Sequence, residues 1–268
     1  MRAWTLGSGS RGNAILLESG ETRILIDAGY SARTLGRRLA VTGVAPESIH
    51  AVIVTHEHID HIRGLGVAVP KWRWPVYGSA ETLAGIGDLE AGQSTAIGPG
   101  AARVIGDIEI TLVPVPHDAA GPTAVIATDT RTGFRACVAH DLGCMPPDLA
   151  AKLGELDLVM LESNHDEEML RTGPYPLHLQ RRVASDRGHL SNRQSADALA
   201  DAACARWRDV VLLHLSETNN TPLHATSTVE RMLRRARCGV RVTAAPQDVP
   251  AGPFGDPSAG ARQFELLI

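Results

Sequence analysis

The hexapeptide His56-Glu57-His58-Ile59-Asp60-His61 holds three imidazoles and two carboxylates, and it directly follows the apolar run Ala51-Val52-Ile53-Val54-Thr55. That run is short, β-branched and ends abruptly in polar residues, which is typical of a buried strand. A loop that leaves the end of a strand can gather neighbouring side chains around one point. Imidazole nitrogen and carboxylate oxygen suit zinc and similar divalent ions. The spacing therefore predicts that His56 and His58 bind one metal and that Asp60 and His61 bind a second, with Glu57 and Ile59 facing away.

The same arrangement recurs along the chain, because further apolar runs also end in a potential metal ligand. The run 111–116 ends at His117-Asp118, 134–139 at His140-Asp141, 156–161 at Glu162, and 210–213 at His214. A single polar residue after a strand is usually a turn residue or a cap, but a repeated one is harder to explain in that way. The sequence therefore predicts strand ends that converge on one rim, where these side chains meet.

The composition is that of an ordinary globular protein, with 268 residues, 44% hydrophobic and 21% charged. A net charge of −4 gives no global basic field, so nucleic-acid binding would depend on local patches. The four cysteines lack C-x-x-C spacing, which argues against a disulfide framework and favours a reducing compartment. The N-terminus lacks the features of a signal peptide and no run could cross a bilayer, so a cytoplasmic location without membrane contact is expected.

The local patterns also predict secondary structure. They predict β-structure over residues 3–27, a helix over 31–42 with Leu35 and Leu39 inward and Arg33, Arg37 and Arg38 outward, and short strands with turns over 79–113. Further helices are predicted over 191–207 and 226–237, and an irregular tail after residue 242. No linker separates these segments, so one domain, residues 1–268, is expected.

The motif His56-x-His58-x-Asp60-His61 resembles the signature of the metallo-β-lactamase-fold hydrolases. The resemblance implies an α/β (α+β) fold, a four-layer αββα sandwich with a metal site at one edge of its sheets. It implies two divalent ions, with Zn²⁺ expected and Mn²⁺ as the alternative, that share a water. The implied ligands are His56, His58 and His117 for the first ion, Asp60, His61 and His214 for the second, and Asp141 bridging both. Asp27 is implied to support the metal loop by hydrogen bonding.

Four further stretches are similar to the WalJ/YycJ-type branch, which is associated with 5′→3′ DNA exonuclease activity. They are 6–13 (LGSGSRGN), 162–166 (ESNHD), 188–192 (GHLSN) and 214–217 (HLSE). Similarity to the tRNA 3′-processing ribonucleases implies that Glu162 and His189 form a proton-handling pair, although His189 could instead be a residue of a helix-capping loop. Asp60, His189 and Glu162 are thus the expected catalytic residues. The candidate substrate-binding residues are Ser8, Ser10, Asn13, Asn164 and Ser216.

Several alternatives stay open at this point. The first hypothesis is a phosphodiesterase acting on DNA, with no obligate protein partner evident. Its candidate DNA contacts are Lys71, Arg73, Arg181, Arg182, Arg187 and Arg193, with Trp72 or Trp74 as stacking faces, although such clusters are more often solvated surface. The alternative is a small-molecule hydrolase of cyclic phosphodiesters, thioesters or lactones, and a third hypothesis is a non-catalytic metal-dependent sensor or scaffold. The roles of His140 and His165 are left unassigned.

Overall fold

Two sheets and a set of helices make up the part of the chain that the computed structural model describes, residues 1–87, 93–98, 100–203 and 205–255. The strands are β1 (Arg2–Gly7), β2 (Ala14–Ser19), β3 (Thr22–Ile26), β4 (Ala51–Ile53), β5 (Val76–Gly78), β6 (Ser94–Ala96), β7 (Ala102–Ile105), β8 (Ile108–Pro114), β9 (Thr123–Asp129), β10 (Arg135–Ala139), β11 (Leu158–Glu162), β12 (Asp209–Leu213), β13 (Arg241–Ala244) and β14 (Ala251–Phe254). The helices are α1 (Ala32–Val41), α2 (Ile59–Ile62), α3 (Leu65–Trp72), α4 (Ala80–Ile86), α5 (Pro147–Leu153), α6 (Glu167–Thr172), α7 (Leu177–Val183), α8 (Asn192–Asp201) and α9 (Pro222–Arg235), with a 3₁₀ turn at Pro46–Ser48.

The first sheet has the strand order β14-β1-β2-β3-β4-β5-β6, and the second has β13-β12-β11-β10-β9-β8-β7. Strands β3 to β6 run parallel to one another, and so do β10 to β13. The hairpins β1–β2, β2–β3, β7–β8, β8–β9 and β9–β10 are antiparallel. In consequence β1, β3 and β4 all end on one side of their sheet, and β8, β10, β11 and β12 end together in theirs.

Three apolar clusters separate the layers. The first sheet packs α1 and α3 on one face, where Leu16 and Leu25 meet Leu35 and Leu65. Alternate residues of the same strands, such as Ile15 and Ile24, face the second sheet and meet residues such as Met160 and Val211. The far face of the second sheet packs against α5, α8 and α9. Because each central strand is covered on both faces, β11 and β12 are buried along their whole length, which explains their continuous apolar runs. The predicted αββα sandwich is confirmed.

Many predicted elements are confirmed, including β1 to β3, α1 with its Ser31 cap, and the strands that precede the rim. Within α1 the prediction for Arg38 was wrong, because this side chain is half-buried and donates to the backbone oxygens of Leu6 and Gln247. The stretch 79–113 is also corrected: it begins with helix α4, capped by Ser79, whose hydroxyl accepts from the N–H of Thr82.

Other boundaries differ for physical reasons. Helix α8 ends at Asp201 rather than near Trp207, a stretch that includes residue 204, outside the described residues. Helix α9 begins at Pro222, four residues before the predicted start, because Thr221 caps it and proline suits the first turn. Strands β9 and β14 and helix α7 were not predicted. The tail is not wholly irregular, since β14 pairs with β1 at the edge of the first sheet, and its last residues, 256–268, lie outside the described part.

Two further predictions from composition bear on the described residues. None of the helices in the described ranges is both long and apolar enough to cross a bilayer. Cys137 and Cys144 carry free thiols, and Cys204 lies outside the residues that the structure describes.

Candidate metal centre

The seven predicted ligands all lie in segments that follow the ends of strands at the same rim, in loops or, for Asp60 and His61, in the short helix α2. His56, His58, Asp60 and His61 follow β4, and His117 lies between β8 and β9. Asp141 follows β10 and His214 follows β12. The structure therefore brings together every ligand that the sequence predicted, from both sheets.

The first group of ligands consists of His56, His58 and His117, whose ring nitrogens lie within 4.8 Å of one another. His58 Nδ1 and His117 Nε2 are 3.3 Å apart. The Nδ1 of His117 lies 3.0 Å from the backbone oxygen of Gly188, to which it donates in the tautomer that leaves Nε2 free. This bond fixes the ring in the orientation that a metal ligand requires.

The second group consists of Asp60, His61 and His214, and it meets the same 4.8 Å criterion. His61 Nε2 lies 3.4 Å from Asp60 Oδ2, and His214 Nε2 lies 3.5 Å from the same oxygen. Asp141 stands between the groups, with Oδ2 2.8 Å from His61 Nε2 and 4.0 Å from His56 Nε2. One carboxylate oxygen is thus close to both groups, as a bridging ligand would be.

Unpaired buried atoms test whether these residues fit a metal. His56 Nε2, Asp141 Oδ2 and both ring nitrogens of His214 are buried and make no hydrogen bond of acceptable geometry among the described residues. They nevertheless lie at close distances, such as 2.6 Å between His214 Nδ1 and Asp141 Oδ1. Buried polar atoms are normally satisfied, and atoms that converge on a point without bonding one another are arranged as ligands are. The fold and these His/Asp groups indicate that the protein binds divalent metal.

Asp27 supports the metal loop, as the sequence resemblance implied. Its carboxylate accepts from the N–H and hydroxyl of Thr55 at 2.8 and 2.7 Å, and Oδ2 lies 2.7 Å from His61 Nδ1. Burial opposes the charged form of Asp27, but the charge of His61 and the bonds from His61 and His140 outweigh it, so the pKa of Asp27 is lowered. The carboxylate stays ionised and orients the imidazole of His61 toward the metal group.

His140 was left unassigned by sequence reasoning, and the structure places it in this support. It is buried, and its Nε2 lies 2.9 Å from Asp27 Oδ2. The signal in the sequence was its position one residue before Asp141 at the end of an apolar run. Its partner Asp27 belongs to the other sheet, so the contact could not be read from the local pattern.

Glu162 and His189 form the pair that the sequence predicted. His189 Nδ1 lies 2.7 Å from Glu162 Oε1 and 3.2 Å from Asp141 Oδ1. The other oxygen of Glu162 accepts from the N–H groups of Leu142 and Leu190. Burial lowers the pKa of His189, but the charges of Glu162 and Asp141 outweigh burial and raise it to about 9. The pair is therefore an imidazolium held beside two carboxylates at the edge of the metal groups.

The five predicted substrate-binding residues differ in their surroundings. Ser8 and Asn13 are buried and bond each other, and Ser8 Oγ also accepts from the N–H of His214. Asn164 donates to the backbone oxygen of His214, and Ser216 Oγ accepts from the N–H groups of Thr218 and Asn219. These bonds engage the side chains of Ser8, Asn13, Asn164 and Ser216 within the protein, and a contact with substrate stays a prediction for all four. Ser10 is exposed.

The predicted DNA contacts are also divided. Arg187 donates to the backbone oxygen of His117, and Arg182 pairs with Asp118 at 2.7 Å, so both lie beside the first group of ligands. The segment 71–74 contains the last two residues of helix α3 and leads to the start of β5, at the opposite end of the strands from the rim. Trp74 is buried and donates to the backbone oxygen of Pro46, so it is not a stacking face. This removes the segment 71–74 from the neighbourhood of the metal centre.

Comparisons with known proteins agree with this geometry. The family model described as "Beta-lactamase superfamily domain" matches residues 22–215. The chain is 34% identical over 243 residues to exodeoxyribonuclease WalJ of Streptococcus pneumoniae serotype 2. The aligned region covers 88% of this chain and 90% of that protein. It is 33% identical over 239 residues to exodeoxyribonuclease YycJ of Bacillus anthracis, with the same coverage.

Among solved structures, the metallo-β-lactamase fold protein YhfI of Bacillus subtilis superposes with a TM-score of 0.71. The superposition covers 94% of this chain and 100% of that one at 17% identity, which bears on the fold alone. Fold, ligand positions and sequence similarity over most of the chain lead to one conclusion. The chain belongs to the metallo-β-lactamase superfamily of metal-dependent hydrolases, in the group that includes the WalJ and YycJ proteins.

Proposed function

We propose that the protein is a two-metal phosphodiesterase that degrades DNA from an end, as an exodeoxyribonuclease. The observation that carries the proposal is the proximity of seven metal-ligand candidates to the pair Glu162–His189, since this combines phosphate activation with a proton source in one rim. The names of the two relatives that match over 88% of the chain support DNA as the substrate. The polarity 5′→3′ is the expectation that the sequence resemblance to the WalJ/YycJ-type branch gives.

The residues that would hold the metals form two groups of neighbouring side chains. His56, His58 and His117 would hold the first ion, and Asp60, His61 and His214 the second, with Asp141 contributing to both. A set of imidazole and carboxylate ligands is expected to take Zn²⁺, with Mn²⁺ as the alternative. When bound, two such ions lower the pKa of water and neutralise charge on a phosphate.

The role of His189 follows from its protonation. With a pKa near 9 the imidazole is protonated at neutral pH, because the carboxylates of Glu162 and Asp141 stabilise its charge. Its Nδ1 is committed to these carboxylates, which leaves Nε2 to give a proton to the oxygen that leaves the phosphate. Glu162 fixes the ring and is itself held ionised, with a pKa lowered to about 2 by His189 against the opposing effect of burial.

Basic side chains near the first group would contact the DNA backbone. Arg182 and Arg187 lie beside His117 and Asp118. Arg181 is exposed and precedes Arg182 on the short helix α7. Guanidinium groups suit phosphate because they donate from two nitrogens at once. These residues give a local positive patch on a chain whose net charge is negative.

The experiment that tests the proposal uses the metal-loaded protein with DNA and RNA oligonucleotides labelled at either end, and with bis(p-nitrophenyl) phosphate. We expect progressive release of nucleotides from the 5′ end of DNA, because the resemblance implies that polarity. Hydrolysis of the nitrophenyl ester without any cleavage of DNA would contradict the proposal and favour the small-molecule hydrolase. RNA cleavage at a higher rate than DNA cleavage would also contradict it.

A further inference from the structure

Glu162, His189 and His214 come from three different segments at the rim. Glu162 ends β11, which pairs with β12 so that Glu162 lies opposite Leu213, directly before His214. The segment 188–192, which carries His189, forms no strand of a sheet. It pairs with the segment 163–166 at an isolated bridge between His165 and Ser191, where the N–H of Asn164 donates to the backbone oxygen of Leu190 and the N–H of Asn192 donates to that of His165. The position of His189 therefore depends on contacts other than a sheet ladder.

A pair of buried carboxamides connects these loops. Asn192 Nδ2 donates to Asn220 Oδ1, and Asn220 Nδ2 donates to Asn192 Oδ1, both at 2.9 Å. Asn192 is the first residue of α8, three positions after His189, and its Oδ1 also accepts from the hydroxyl of Ser163 at 2.7 Å. This reciprocal pair fastens the His189 loop to the loop after β12 and to the end of β11.

Asn220 lies in the same loop as His214 and bonds the segment that follows β11. Asn220 Nδ2 lies 2.9 Å from the backbone oxygen of Ser163 and 3.0 Å from that of Asn164. Asn164 in turn donates to the backbone oxygen of His214 at 2.8 Å. His214 has a φ of 53°, a conformation that costs free energy and that the bonds around it must maintain.

We infer that Asn220 is a positioning residue that holds the His189 loop against the end of β11, so that Glu162 and His189 meet correctly. This inference rests on the proposed function, because it assigns Asn220 a part in proton transfer. Asn220 is 5% exposed and both ends of its carboxamide are bonded within the protein, so it acts through its neighbours rather than on substrate. Removing it would leave the amide of Asn192 and two backbone oxygens with fewer partners in a buried site.

The neighbouring residue Asn219 offers a matched control. It is also buried, at 1% exposure, but its side-chain nitrogen and oxygen make no hydrogen bond among the described residues. Its contacts to the loops are made by its backbone, which accepts from the N–H of Asp166. Asn219→Ala thus removes a carboxamide of the same size and burial without breaking the connection.

The experiment compares Asn220→Ala, Asn219→Ala and His189→Ala on two substrates, a 5′-labelled DNA oligonucleotide and bis(p-nitrophenyl) phosphate. The DNA leaving oxygen needs a proton, whereas nitrophenolate departs without one. For Asn220→Ala we expect kcat on DNA to fall by about 10- to 100-fold with KM and metal content unchanged, as for other residues that orient a reacting group. The loss should be clearly smaller on the nitrophenyl ester, and Asn219→Ala should retain full activity on both.

The outcomes separate this inference from the proposed function. If His189→Ala shows the leaving-group difference but Asn220→Ala loses activity equally on both substrates, or not at all, the inference about Asn220 is overturned and the proton donor stands. If His189→Ala itself loses equally on both substrates, the proton-donor role fails. Should Asn220→Ala not fold, Asn220→Asp tests the same point, because it keeps the acceptor oxygen and the shape while removing the donor.

Discussion

Three non-glycine residues at the rim, Asp27, Asp141 and His214, have positive φ angles of 60°, 58° and 53°. Such a conformation is unfavourable for residues with a Cβ atom. Aspartate tolerates it better than histidine, because its short side chain can bond the local backbone. Each of the three follows the end of a strand, where the turn of the backbone aims the side chain at the metal groups rather than along the strand. The strain is therefore located where the site needs its ligands to converge.

At the residue scale, the candidate metal ligands were predictable because they lie in the hexapeptide after β4 or within two residues of the end of an apolar run. Of the residues that support them, Asp27 was predicted from the resemblance, whereas His140 and Ser8 were not predicted in this role. His140 contacts Asp27 across two sheets, and Ser8 accepts from the N–H of His214 over a separation of 206 residues. Ser8, Asn13 and Asn164 were predicted to contact substrate, and the sequence did not reveal that their side chains also bond within the protein.

His165 gives a prediction about pH. It is buried, its Nδ1 makes no hydrogen bond among the described residues, and burial lowers its pKa to about 4. The folded state thus favours neutral imidazole, whereas the unfolded chain binds a proton below pH ~6.5. Stability from this group is complete above that pH and falls as the pH drops toward 4. We expect protonation of His165 in the unfolded chain to lower the unfolding free energy by about 2 kcal/mol at pH 5 relative to pH 7.5.

The measurement is urea denaturation of the wild type and of His165→Phe at both pH values. The variant should lose less stability than the wild type between pH 7.5 and pH 5, because phenylalanine has no proton to gain. His178→Phe, at an exposed position of α7, is the control and should behave as the wild type does. An equal loss in wild type and His165→Phe would show that His165 is not the group responsible.

At the element scale, the strands that end at the rim were predictable because burial on both faces gives each a continuous apolar run. Helix α4 was missed because its glycines, Gly85 and Gly87, suggested turns, while the Ser79 cap was the signal that should have decided. Strand β14 (Ala251–Phe254) exists through its pairing with β1, and its own sequence, with Gly252 and Pro253, favours no strand. An element such as β14, which forms because it pairs with a strand far away in the sequence, cannot be predicted from the local pattern.

The connection between α1 and the segment before β14 gives a prediction at this scale. The Arg38 guanidinium donates to the backbone oxygens of Leu6, Gln247 and Asp248 and lies 3.9 Å from the centre of the Tyr30 ring. Arg38→Ala leaves these oxygens without their charged donor. We expect a loss of about 1–3 kcal/mol in unfolding free energy, the usual range for bonds to a charged group.

Urea denaturation at pH 7.5 measures this loss, and Arg37→Ala provides the control. Arg37 is the preceding residue on α1, is exposed and makes no hydrogen bond or ion pair within the described ranges, so its removal should change stability little. Equal effects of the two substitutions would mean that the bonds of Arg38 do not hold the C-terminal segment in place.

At the scale of the whole molecule, the convergence on one rim follows from topology. Parallel strands that end together bring their following residues together, and this holds separately in each sheet. Because β9 is antiparallel to both β8 and β10, β8 runs in the same direction as β10 and ends on the same side of the sheet. His117, which follows β8, therefore also lies at the rim. The sequence predicted which residues meet, but the division of the strands between two sheets came from the resemblance. That residues 1–268 form one domain stays a prediction.

The central claim is that the two groups of ligands bind two metal ions with Asp141 between them. Elemental analysis of the purified protein and its variants tests it most directly. Wild type and His50→Ala, which alters an exposed histidine at the start of β4, should bind two divalent ions per chain. His58→Ala and Asp141→Ala should each bind less metal and lose hydrolytic activity, because each removes one of the seven candidate ligands. Two ions per chain and full activity in both variants would contradict the account.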